Sequence, residues 1–80
     1  MNNLNTNYPK LSDREIEILF LISIEMSNSE IAEKLFLSRY TIDSHKKNLF
    51  LKLNASNSAG LITRAFQLKI LPMEIPTSLV

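Results

Sequence analysis

The sequence predicts an all-α domain of four short helices, on three observations. Apolar residues recur at helical spacing in four separate runs. Three of those runs open on a serine placed to cap a helix, Ser12, Ser27 and Ser38. The single glycine is Gly60, and Pro72 and Pro76 fall only after the last run. Thirteen Leu and nine Ile in 80 residues are enough for one core and too few for two. A large α/β fold with a cofactor crevice is excluded at this length. The absence of cysteine removes any disulfide or thiolate-zinc framework. A core of this size supplies about 3–5 kcal/mol, so a partner or a second copy would add materially to stability.

Each element has a local reason. Ser12 is followed by Glu15 in the pattern of a capping box, with Leu11 and Ile16 at the staple positions, so a first helix is predicted over 13–25. Its apolar residues, Ile16, Leu19 and Phe20 with Ile18, Leu21 and Ile22 beside them, cover more than half its girth and call for several neighbours. The same box recurs as Ser27 and Glu30, with Met26 and Ile31 as staple, and predicts a second helix over 28–36. Ser38 caps a third helix running through Leu53. Periodicity places Ile42, His45, Lys46, Leu49 and Leu53 inward, with Phe50 at the margin. It places Tyr40, Asp43, Ser44, Lys47, Asn48 and Leu51 outward. Asn57 caps a fourth helix over 58–70, with Leu61, Ala65 and Leu68 in one stripe and Ile62, Phe66 and Lys69 in the next; Pro72 is expected to stop it. About three residues separate the second and third helices, the spacing of a helix-turn-helix.

Charge is nearly balanced, at a formal +1, but unevenly spread. Residues 1–37 carry a net −3 and residues 38–80 a net +4, with Arg39, Lys46, Lys47 and Lys52 set against Asp43 alone in the third helix. A basic stretch on an otherwise neutral domain steers one face toward a polyanion, although it also fits a plain solvated helix face. The polar Met1–Lys10 has no apolar signal core, and the run Ile16–Ile24 is too short to span a bilayer, so a cytoplasmic protein is expected. One histidine without cysteine makes no transition-metal site, and a serine with that histidine but no orienting acid is no triad. No cofactor, no metal and no enzymatic activity are expected. His45 itself reads as a partly buried, hydrogen-bonded imidazole.

The motifs, taken in order, resemble the LuxR/GerE-type DNA-binding domain. Leu11-Ser-Asp-Arg-Glu15 with Ile18-Leu19 is similar to that family's opening. Ser27-Asn-Ser-Glu-Ile-Ala32, Leu37-Ser38, Thr41-Ile42, His45, Asn48-Leu49 and Lys52-Leu53 continue the likeness at the family's spacing across residues 10–71. The resemblance implies a tetrahelical helix-turn-helix regulator of transcription whose third helix enters the major groove and whose fourth mediates pairing on DNA. It further implies that positions matching Asp43, Ser44 and Lys47 face the bases, and the chain looks most like the small, stand-alone members. Several positions depart from the pattern. Asp43 and Ser58 stand where a basic residue is usual, Gly60 where an acidic cap partner is, and Glu25 and Lys69 where glycine is usual near the ends of the first and fourth helices.

The expected division is therefore a flexible arm over 1–10, the DNA-binding domain over 11–71 and an irregular tail over 72–80. Sequence-specific binding of double-stranded DNA for transcriptional regulation is expected, with Tyr40, Asp43, Ser44, Lys47 and Asn48 facing bases. Lys47 is the foremost base reader, since an ammonium donates to guanine O6 or N7, while Asp43 can accept from cytosine. Arg39, Thr41, Lys46 and Lys52 are expected at phosphates, where contacts set register. Ile62, Phe66 and Lys69 are the expected face of a homodimer, at least on DNA, matching a palindromic or repeated site; the competing reading folds Pro72–Val80 over that face. The alternative to DNA binding is a non-enzymatic helical interaction module that pairs with another regulator, motivated by Asp43 and the near-neutral charge.

Overall fold

The computed structural model describes residues 10–71, which form four α-helices: α1 (Asp13–Ser23), α2 (Asn28–Leu35), α3 (Arg39–Leu53) and α4 (Ser58–Gln67). The expected arm, apart from Lys10, and the expected tail lie outside the described residues, as does any packing of Pro72–Val80 on α4. All four helices start where their caps predict. Ser12 and Ser27 form closed capping boxes: each hydroxyl accepts from the amide of Glu15 or Glu30, and each glutamate accepts back from the serine amide at 2.8 Å. Ser38 and Asn57 cap α3 and α4 through the amides of Thr41 and Gly60.

α3 ends at Leu53 as expected, and the other three helix ends depart from expectation for one shared reason. α1 stops two residues short of 25, α2 one short of 36 and α4 three short of 70. Each chain reversal is made by a residue with positive φ, Glu25, Phe36 and Lys69, and Asn54 does the same after α3. In every case the amide of the next residue returns to a carbonyl five positions back, Met26 to Leu21, Leu37 to Ala32, Ala55 to Phe50 and Ile70 to Ala65. α4 is thus ended by Lys69 before Pro72 is reached. None of the four is glycine, and a side chain at positive φ costs roughly 1–2 kcal/mol, with Asn the least penalised.

α3 packs against each of the other three helices, and α1 against α4. The core is Ile18, Leu19 and Leu21 of α1, Ile31 and Ala32 of α2, Ile42, Leu49 and Leu53 of α3, Leu61 and Ala65 of α4, and Leu71. On α1 the expected burial is rotated. Ile18, Leu19 and Leu21 face inward together with Glu15, whereas Ile16, Phe20 and Ile24 line the exposed side. Only α3 and α4 flank α1 extensively, so its apolar girth is not fully covered. No helix among the described residues is long and apolar enough to cross a membrane.

Candidate nucleic-acid interface

α3 has two faces of opposite character. Ile42, Leu49 and Leu53 are wholly buried, spaced so that they fall on one side of the helix, and they fix its roll about its own axis. Tyr40, Asp43, Ser44, Lys47, Asn48 and Leu51 are exposed, as their periodicity predicts. Tyr40 is 79% accessible and offers a phenol and an aromatic edge beside the polar groups. His45 and Lys46, expected inward, lie at the margin with Phe50, half-buried. His45 is thus partly buried as expected, and makes no hydrogen bond among the described residues.

α2 reaches over the start of this face. Asn28, at its first position, donates from Nδ2 to Asp43 Oδ1 at 2.8 Å and accepts at Oδ1 from Lys46 Nζ at 2.9 Å. Asn28, Tyr40, Asp43, Ser44, Lys47 and Phe50, with Lys46, surround a shallow depression of about 340 Å³ between the two helices. Asp43 therefore does not stand as an isolated anion, because a lysine ammonium is one amide away. Sequence reasoning missed Asn28. It lies fifteen residues from Asp43 and eighteen from Lys46, and no local pattern signals such a pairing.

Among the residues expected at phosphates, Arg39 is exposed at the start of α3. Thr41 is half-buried and its hydroxyl shares a hydrogen bond with that of Ser38 at 2.9 Å, which draws it into the cap. Lys46 is tied to Asn28 but retains further N–H donors. Lys52 is engaged within the protein. Its ammonium donates to both carboxylate oxygens of Glu15, at 2.8 and 3.0 Å, and to the Lys10 carbonyl at 3.2 Å. Glu15 is only 4% accessible and also closes the α1 capping box. Burial alone pushes its carboxyl up, but the hydrogen bonds from Lys52 and Ser12 outweigh that and hold it below its ordinary value. Lys52 is a structural cation pinning the end of α3 to the start of α1. A carboxylate withdrawn from water needs such a counter-charge.

On α4, Leu61 and Ala65 are buried as expected, and Leu68 is half-buried. Ile62 and Phe66 are half-buried and pack against the core cluster, so each leaves only part of its surface outside, while Lys69 is exposed. Arg64, which sequence reasoning did not single out, donates from Nε to the Leu53 carbonyl at 3.1 Å and so caps the end of α3. Among the described residues no cluster of His, Asp or Glu could hold a metal ion.

Residues 9–65 match the family model described as bacterial regulatory proteins, luxR family. The chain belongs to the luxR family. It is 43% identical over 70 residues to the oxygen regulatory protein NreC of Staphylococcus carnosus, covering 88% of this chain and 32% of that protein. With NreC of Staphylococcus aureus strain RF122 it shares 41% identity over 69 residues, 86% of this chain and 32% of the relative. Among solved structures, the response regulator ChrA of a heme-sensing two-component system superposes with a TM-score of 0.76 at 39% identity, over 78% of this chain and 31% of that one. The Vibrio cholera VqmA–ligand–DNA complex gives 0.73 at 28% identity, over 99% and 34%. The chain thus spans about a third of the length of these proteins. As a luxR-family domain it is an all-α helix-turn-helix DNA-binding unit of bacterial transcription regulation, and it is not an enzyme.

Proposed function

We propose that this domain binds double-stranded DNA sequence-specifically to regulate transcription, with α3 seated in the major groove. The observation that carries the reading is the division of α3. One side is anchored by three fully buried side chains, and the other presents Tyr40, Asp43, Ser44, Lys47 and Asn48 to solvent. A rigid rod with polar side chains of both donor and acceptor character on its free side is what base-edge readout requires. The likeness to a protein solved together with DNA supports it. On this reading Arg39, Lys46 and Thr41 meet phosphates and set register.

One domain with a few phosphate contacts binds weakly, so two copies at half-sites about one helical turn, ~34 Å, apart are part of the reading. The exposed parts of Ile62 and Phe66, with Lys69, are the proposed pairing face. Fluorescence anisotropy on duplex DNA across a salt series tests the whole. Binding that weakens linearly on a log–log plot, with a slope set by several phosphates, is expected. No binding at about 50 mM salt by the folded protein would favour the interaction module. Asp43 motivated that alternative, and its partnership with Asn28 and, through it, Lys46 weakens the motive.

A further inference from the structure

Asn28 couples two helices through a single amide whose polarity is dictated at both ends. Lys46 can only donate and the Asp43 carboxylate accepts, so the carbonyl end must face the lysine and the amino end the aspartate. Flipping the amide would break both bonds. Asp43 and Lys46 are three residues apart on α3, neighbours on its surface, yet no direct ion pair joins them among the described residues; the amide stands between. Asp43 is therefore held by Oδ1 toward α2, while Oδ2 makes no hydrogen bond among the described residues. Its exposed side chain shares the free side of α3 with Lys47, one turn further on.

We propose that Asn28 is a positioning residue that makes Asp43 a selector for cytosine. The DNA bound would then carry cytosine at the base facing Asp43 and guanine one or two base pairs away, facing Lys47. The inference rests on the DNA-binding reading above. In the major groove cytosine offers an amino donor, whereas guanine and thymine present O6, N7 or O4 acceptors that repel a carboxylate; adenine offers an amino group with an acceptor beside it. Guanine O6 and N7 suit the Lys47 ammonium. Four residues of helix advance about 6 Å against about 3.4 Å per base pair, which sets the interval. An untethered aspartate facing phosphates would swing away from them. Asn28 holds one oxygen, leaves the other free to accept, and brings the Lys46 charge close enough to offset the repulsion.

The test is selection from a random duplex pool with the wild type, Asp43→Asn and Asn28→Ala, followed by anisotropy on sites carrying each base at the marked position and by thermal melting. The wild type is expected to prefer cytosine over thymine at one position by about tenfold. Asp43→Asn should move that preference to adenine, the bidentate partner of an amide side chain. Asn28→Ala should flatten it at that position alone, to below about threefold, with the melting temperature and the other positions held. If the wild type selects a site and Asp43→Asn selects the same bases throughout, the cytosine assignment is wrong while DNA binding stands. An Asn28→Ala profile identical to wild type would remove Asn28 from the device. A wild type that enriches no sequence and binds no duplex at about 50 mM salt overturns the DNA-binding reading and this inference with it.

Discussion

α1 and α2 each send one polar side chain across to the side chains of α3, and they do so toward opposite ends. Glu15 of α1 meets Lys52 in its last turn, and Asn28 of α2 meets Asp43 and Lys46 in its first half. The chemistry is alike, a short charge-assisted contact between elements distant in sequence, but the surroundings differ. The Glu15 side chain is 6% accessible, and its carboxylate has given up water that only protein donors can replace. Asp43 is exposed, so its bond to Asn28 competes with water and contributes little to folding. The same interaction holds the fold where solvent is excluded and arranges a surface where it is not.

The sharpest way to break this contrast is to remove Lys52. With Glu15 left buried and uncompensated, Lys52→Ala should lower stability by roughly 2–4 kcal/mol, less than for a fully enclosed pair because the lysine is partly exposed. A shift in the urea midpoint at unchanged slope would show it, and a loss below about 0.5 kcal/mol would class the pair with ordinary surface bridges. Acid probes the same pair. Because the carboxyl of Glu15 is held below its ordinary 4.5 in the folded state, its contribution is present above that pH and is lost as pH falls through the lowered value. Stability should therefore decline on the acid side, and less steeply in Lys52→Ala.

At the solvent end of the contrast, Lys47→Ala should leave the urea midpoint nearly unmoved while cutting discrimination between operator variants by roughly 1–3 kcal/mol. Competition anisotropy measures this, and undiminished discrimination would take Lys47 off the reading surface. The smallest expected effect lies outside both contacts. Lys69→Gly relieves the left-handed turn after α4 and should stabilise the domain by about 1 kcal/mol, seen as a rise in melting temperature; a fall would mean that the lysine side chain contributes more than its backbone strain removes.

Helix starts were legible because their chemistry is local: Ser12 with Glu15 and Ser27 with Glu30 complete each box within three residues. The exposed side of α3 was legible for a similar reason, since Ile42, Leu49 and Leu53 define its inner side by spacing alone. The ends of α1, α2 and α4 were not, because Glu25, Phe36 and Lys69 are poor left-handed residues and no glycine marks the turn. The burial of α1 was misjudged at Ile16 and Phe20 because an apolar helix does not announce which of its sides lacks a neighbour. The Lys52–Glu15 pair was not legible, because no local signal joins residues thirty-seven positions apart.

Arg64 joins the backbone end of α3 to the helix that carries Ile62 and Phe66. Should two copies clasp through those side chains, the orientation of each rod would be inherited from the clasp, because buried Leu61 and Ala65 pack the two helices together and the guanidinium ties their ends. Half-site tilt and half-site spacing would then be one mechanical quantity, set by the packing of one helix on the other.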